Sequence, residues 1–387
     1  MNNIEYQKRA AEFAKLTVKH QKQNDALLEA KFQLTMCANV QVVIIEGPTG
    51  SGKSHLLKCL QKDVNQFYSS QVSEFPSMVP YLSTVAVADG AKKFGWKRCW
   101  SDASIGLHDP FAEARSWRTS SHSTVRYPGE TLTTSVARQD FERELQLRRT
   151  KVWGIDEAHH ILLGGLAGAP SDQFEVLKSV SQTTTVKLVL CGTYQLPRLL
   201  NYSGQVMRRS ATVTLAPYSL KKKSDISQFV SVCKTLLDNL PTNTALDPAN
   251  CAEELFFGTL GCVGVLKDWI ARAWANAYFK NAPSMTMDHL MATRLPAETL
   301  LSMHTEIVAG ERLNSETTEA LYRQKVKEHA DGLPSKSEFA IPIQTTLTKK
   351  KCKVSGVPHK PGVRLPGRDP VKSSSVRKFL NKDASYV

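Results

Sequence analysis

The sequence predicts an α/β chain: a central parallel sheet flanked by helices, then a small helical lid, then a basic, disordered C-terminal tail. Three observations carry that expectation. The apolar run Val42-Val43-Ile44-Ile45 leads into Gly47-Pro48-Thr49-Gly50-Ser51-Gly52-Lys53-Ser54, and His55-Leu56-Leu57-Lys58-Cys59-Leu60 can open a helix directly after it. About a hundred residues later a second apolar run, Val152-Trp153-Gly154-Ile155, ends in Asp156 and Glu157. From about Leu220 the apolar period becomes helical and stays so to Ala330.

Residues 4 to about 38 read as a helix or helix pair in front of the first strand, with Ala10, Phe13, Ala14, Leu16 and then Ala26, Leu27, Ala30, Leu34 at helical spacing. The Gly-rich stretch that follows strand one is a phosphate-binding loop in the context such a loop requires. Its glycines let backbone N–H groups turn inward around phosphates, and the helix N-terminus behind it, from His55 on, favours negative charge. Lys53 is placed for the β- and γ-phosphates of ATP, and the Ser54 hydroxyl for Mg²⁺.

Pro76 to Val87 offers a second strand, and Lys92-Lys93-Phe94-Gly95-Trp96-Lys97-Arg98-Cys99-Trp100 comes next. Basic residues interleaved with aromatics suit phosphate contacts and base stacking, so Lys92, Lys93, Lys97 and Arg98 are candidate DNA contacts. The plainer reading is a surface helix start whose aromatics are core. His108 to Glu130 reads as a loop or insertion, and Thr131 to Arg149 as a charged helix.

The strand ending in Asp156-Glu157 is a Walker B pattern: Asp156 would hold the Mg²⁺ shell and Glu157 would polarise the attacking water. Another strand, Val186 to Cys191, runs into Gly192-Thr193-Tyr194, which makes Thr193 the candidate for a polar sensor of the γ-phosphate. Arg208 and Arg209, before the short strand at Val213-Thr214-Leu215, are candidates for an arginine finger that reaches a neighbouring subunit's nucleotide. Further helices are expected at Asp225 to Asn239, Pro248 to Phe257 and from Gly264 onward. Lys267, at the start of the last of these, is the candidate sensor of bound nucleotide from the lid.

Charge and composition narrow the class. The 387 residues carry a formal net charge of +14, which favours a polyanionic partner such as nucleic acid. From Lys349 onward eleven Lys and Arg face only Asp369 and Asp383, a local net of +9 punctuated by Pro and Ser, as in a disordered tail. The eight cysteines form no C-x-x-C pair, so neither a zinc pattern nor a disulfide framework is expected. No apolar run approaches the ~18 residues that span a bilayer, and the start lacks a signal-peptide layout. A cytoplasmic protein with no membrane association is expected.

Together, the Gly47 to Ser54 loop, Ile155-Asp156-Glu157-Ala158-His159-His160, Gly192-Thr193-Tyr194-Gln195-Leu196, Ser203-Gly204-Gln205 with Arg208-Arg209, and Gly261-x-x-Gly264 with Lys267 occur in AAA+ order and spacing. The chain thereby resembles the TnsC/TniB group of AAA+ regulators from bacterial transposons, CRISPR-associated transposons included. That resemblance covers roughly residues 5 to 330. It implies an ATPase that uses ATP and Mg²⁺, binds double-stranded DNA and assembles with itself as a ring or helical filament. It further implies contacts with transposase subunits and with a TniQ/TnsD-type target selector, hydrolysis controlling the assembly. The expected divisions are 1–40, an N-terminal helical segment; 41–220, the AAA+ core; 221–330, the lid; and 331–387, the tail. Two other AAA+ readings remain: an origin-recognition or helicase-loader ATPase, and a nucleotide-gated adaptor that ignores DNA. The Asp-Glu-Ala-His string also occurs in helicases, but those need a second strand-rich half that the helical region after residue 220 does not offer.

Overall fold

The computed structural model describes residues 3–87, 94–108, 133–163, 170–196, 208–241, 244, 246–313, 320 and 322–326. The chain divides into two units, Met1–Tyr322 and Arg323–Val387. The basic tail, most of the expected insertion, and the Ser203-Gly204-Gln205 string lie outside the described residues.

Two helices come first, α1 (Asn3–Lys15) and α2 (Gln21–Thr35). Strand β1 (Val42–Glu46) then enters the Gly-rich loop, and α3 (Lys53–Phe67) and the short α4 (Ser69–Glu74) leave it. The order continues through β2 (Tyr81–Val85), α5 (Trp96–Gly106), α6 (Thr134–Leu147), β3 (Val152–Asp156), α7 (His160–Leu163), α8 (Pro170–Thr184), β4 (Lys187–Gly192) and β5 (Ser210–Thr214). Further described helices follow: α9 (Lys223–Asp238), α10 (Pro248–Phe257), α11 (Val263–Phe279), α12 (Met287–Ala292) and α13 (Ala297–Leu313).

Among the described residues the five strands are parallel, in the order β2-β3-β4-β1-β5. Their apolar residues alternate between two faces, as a sheet covered on both sides demands. Val42, Ile44, Leu82, Trp153, Ile155, Leu188 and Leu190 turn toward α5, α6 and α8. Val43, Ile45, Val152, Val189, Cys191 and Val213 turn toward α2 and α3. The expected strand 76–87 shortens to Tyr81–Val85, whose register against β3 pairs Tyr81 with Val152 and Val85 with Asp156.

The helices after residue 220 form a core of their own around Cys233, Leu236, Leu255, Leu266, Trp269, Ile270 and Trp274. Helix α10 starts where its sequence says it should: Pro248 needs no N–H at the first turn, and the Asp247 carboxylate accepts from Ala249 N at 3.1 Å. The N-terminal pair divides its packing. Helix α1 joins the lid core, with Phe13 buried in it and Tyr6 stacked on Tyr278 at 4.2 Å, while α2 lies on the sheet through Ala26, Ala30 and Leu34.

The junction between them is pinned by polar contacts. Lys22 Nζ pairs with Asp225 Oδ2 at 2.6 Å and donates to Pro217 O. His20 Nδ1 lies 3.1 Å from the Tyr218 hydroxyl in a buried site. Burial, with the nearby Lys22 and His55, pushes the His20 imidazole down to about 4. The unfolded chain titrates this group near 6.5, so between those values the unfolded state binds the extra proton. Stability from His20 is therefore complete above about pH 6.5 and is lost as pH falls toward 4, a span worth about 3 kcal/mol. His20→Gln is expected to flatten the acid limb of a plot of Tm against pH. Identical limbs for the two chains would assign the acid sensitivity to other groups.

Among the described residues, no helix is long and apolar enough to cross a membrane.

Candidate nucleotide-binding site

In an open parallel sheet, ligands sit beyond the carboxyl ends of the strands, where the strand order reverses. Here that place is the carboxyl end of β1, between β4 and β5. The loop leaving β1 is shaped by its glycines: Gly50 and Gly52 have φ of 76° and 100°, values open to glycine at little cost. A Cβ at Gly47 would stand 2.5 Å from Leu215 O, so only glycine lets the loop lie this close to the end of β5. Gly52 ends the loop as the N-cap of α3, and the amides of that helix's first turn are directed at the site.

Lys53 is buried, its ammonium donating to Gly47 O at 3.1 Å and Pro48 O at 2.8 Å. The cation is thus held over the hollow of the loop. Ser51 Oγ, also buried, has no hydrogen-bond partner among the described residues, an orphan that a phosphate oxygen would satisfy. Both observations fit a nucleotide. His55 lies one turn further on, its Nε2 3.5 Å from Cys59 Sγ. Burial and the cations of Lys58, Lys62 and Lys267 lower its pKa, which keeps the imidazole neutral beside a phosphate site.

The Walker B residues arrive from the next strand but one. Asp156 ends β3, its Oδ1 accepting from Glu157 N at 2.9 Å, and Glu157 follows with a φ of 51°, unusual for a residue with a Cβ. Ser54 and Asp156 supply oxygen donors of the kind Mg²⁺ takes. Thr193 stands just past the end of β4, and its buried Oγ1 is unpartnered among the described residues. Around Glu157 the turn brings His159 Nδ1 to 3.2 Å from Glu157 Oε2. One ligand atom each from Glu157, His159 and His160 lies within 4.8 Å of the others. Burial and His160 lower the His159 pKa against the opposing pull of Glu157.

Lys267 is engaged at the end of α1. Its ammonium donates to Ala14 O at 2.5 Å and Leu16 O at 2.8 Å, at the end of α1, where a cation meets the negative end of a helix. To reach a nucleotide it must leave both carbonyls. The lid instead touches the loop with backbone. Gly264 N donates to Gly50 O at 2.7 Å, and a Cβ at Gly264 would lie 2.6 Å from that oxygen. Val265 covers Gly50 from the same turn.

Arg208 and Arg209 lie at the far end of the sheet. They precede β5, and Arg209 O accepts from Gln41 N and Val42 N at the start of β1. From there to Thr214, beside Glu46, is five residues, about 16 Å of strand. Neither guanidinium reaches the loop of its own chain.

The candidate DNA contacts fare unevenly. Lys92 and Lys93 lie outside the described residues. Lys97 and Arg98 are exposed on α5, Arg98 at 3.5 Å from Asp102. The aromatics between them are not available for stacking on bases. Trp100 is buried against Phe141 and Trp153, and Trp96 stacks on Trp100 while its Nε1 donates to Gln173. The plainer reading of this stretch, a helix start with core aromatics, is the one the packing gives, because helical spacing puts Trp96 and Trp100 on one face.

Two residues near the strand ends had no role assigned in the sequence reading. Glu46, buried at the end of β1, accepts from Thr214 Oγ1 at 2.9 Å. Its only signal was a carboxylate closing an apolar strand. Tyr194 packs its ring where a Cβ on Gly310 of α13 would be 2.2 Å away, a contact between positions too distant in sequence to foresee.

Residues 38–200 match the family model of the AAA domain. The five-stranded parallel sheet and the matched domain together give the fold of an AAA+ P-loop ATPase. Among solved structures, the chain is similar to the ORC2 protein of Aeropyrum pernix in its ADPNP–ADP complexes, at 13% identity and a TM-score of 0.47 over 70% of this chain and 66% of that one. It is similar also to Drosophila ORC bound to DNA, at 14% identity and a TM-score of 0.44 over 73% and 64%. A third similarity is to a Walker-type ATPase of Pyrococcus abyssi, at 13% identity and a TM-score of 0.43 over 80% and 77%. All three are distant, and the chain spans just under two thirds of the two ORC chains. No curated protein sequence matches it.

Proposed function

We propose that this ATPase is a nucleotide-dependent, DNA-binding regulator of DNA transposition of the TnsC/TniB type. It assembles on target duplex DNA as a ring or filament, joins a target selector of the TniQ/TnsD type to the transposase, and uses hydrolysis to end the assembly. ATP would bind in the Gly47 to Ser54 loop, Ser54 and Asp156 would hold the Mg²⁺ that offsets phosphate charge, Glu157 would act as base, and Thr193 would read the γ-phosphate.

The observation that carries the reading is the placement of Arg208 and Arg209 at the opposite end of the sheet from the loop. An arginine finger there acts only on a neighbour, and a head-to-tail contact of this kind generates rings or helical polymers. The formal charge of +14 supplies attraction for a duplex, and the motif resemblance supplies the transposition context.

The test is imaging of the purified protein with duplex DNA, with and without a non-hydrolysable ATP analogue. Rings or filaments on DNA only when nucleotide is present, weakening steeply with salt as phosphate contacts require, are the expected result. Nucleotide-dependent oligomers that ignore DNA would overturn the DNA-binding part and leave an adaptor. Monomers with both ligands would overturn the assembly.

A further inference from the structure

We propose that His159 is a positioning residue for Glu157, tying the base carboxylate to the end of β4 immediately before Thr193. The inference rests on Glu157 being the base of the ATPase reaction.

Glu157 needs outside support. Its carboxylate is 43% exposed, and of the pair His159 is the more enclosed, at 15%. The turn that carries both is fastened rather than loose: Ala158 N donates to Cys191 O of β4 at 2.8 Å, and His160 N closes on Glu157 O at 2.9 Å. Within it the His159 Nδ1 stands 3.2 Å from Glu157 Oε2, and that buried nitrogen makes no hydrogen bond among the described residues, so it is open to bond the carboxylate on a small shift.

The ring is closely packed. His160 lies against it, with ring centroids 4.3 Å apart. Gly192, the last residue of β4, makes its room: a Cβ there would be 3.2 Å from His159 Nδ1 and 2.8 Å from Leu196 Cδ1. Gly192 is bonded to Thr193, so a shift of the γ-phosphate sensor displaces the wall against which His159 rests. The imidazole then moves the carboxylate. Sensing at Thr193 and base placement at Glu157 become one event.

Three variants test this. His159→Ala is expected to lower kcat about a hundredfold, the cost of a base misplaced by about an ångström, with ATP affinity and Tm close to wild type. His159→Asn puts an amide nitrogen where Nδ1 was and should recover most of the loss. Gly192→Ala, whose added Cβ would crowd His159 Nδ1 at 3.2 Å, should reproduce the defect with His159 intact. A wild-type kcat in His159→Ala, or equal losses in the Ala and Asn variants accompanied by a fall in Tm, would overturn the proposal. The reference is read separately, as wild-type hydrolysis that Lys53→Ala removes. Hydrolysis unchanged by Glu157→Gln would overturn the role of Glu157 itself, and with it this one.

Discussion

Lys53→Ala is expected to abolish ATP binding at concentrations that saturate the wild type, and with it hydrolysis and every nucleotide-dependent assembly. The ammonium is the one buried cation in the loop, held by Gly47 O and Pro48 O over the hollow where phosphates would lie. A hydrogen bond to a charged group contributes about 1.5–3 kcal/mol, so its loss alone weakens binding roughly ten- to a hundredfold, and the desolvated loop loses its only full charge as well. Glu157→Gln separates binding from chemistry. The amide keeps the shape of the carboxylate but takes no proton, so hydrolysis should fall about 10²- to 10⁴-fold while ATP and DNA stay bound and the assembly no longer turns over. Fluorescent-nucleotide titration and phosphate release measure the two effects apart. Wild-type affinity in Lys53→Ala, or wild-type turnover in Glu157→Gln, would remove the respective residue from the site.

That these two residues stand out in the sequence has a physical cause. A phosphate loop is specified by backbone: Gly50 and Gly52 are needed where φ is positive, and Gly47 where the chain passes 2.5 Å from Leu215 O. Such demands act within eight consecutive residues and leave a local trace. The alternation of Val42 to Ile45, buried on both faces of the sheet, is equally local. Lys267 shows the opposite case. Its position in the first turns of α11 was legible, but the direction of a long side chain is settled by what packs beside it, and α1, two hundred and fifty residues away, offers two free carbonyls. Trp96 and Trp100 teach the same lesson with apolar groups. Lysines beside tryptophans suggest a nucleic-acid surface, but burial against Phe141 and Trp153 outweighs it, since a fully buried aromatic is among the larger contributors to a core. His159 lay in plain sight within a recognised string, but its relation to Gly192 exists only once β3 and β4 are paired.

The arginine pair gives the other large effect. Replacing Arg208 and Arg209 together by Ala should leave nucleotide affinity intact and reduce assembled-state hydrolysis by about 10³-fold or more, the range an arginine finger supplies. The distance of about 16 Å between their strand end and the loop makes the sharper experiment possible. The double-arginine variant has an intact site and no finger. Glu157→Gln has an intact finger and a dead site. Neither should turn over alone, but if the finger acts between subunits, a 1:1 mixture restores about a quarter of the interfaces to function in a randomly mixed head-to-tail assembly. Recovery must then depend on protein concentration and vanish below the assembly threshold. Mixed assemblies visible by imaging but with no recovered phosphate release would show that these arginines do not act across the subunit boundary. They would then be left with the local role their geometry already gives them, Arg209 with its side chain at 3.4 Å from Gln41 Oε1 and its carbonyl on Gln41 N and Val42 N at the start of β1.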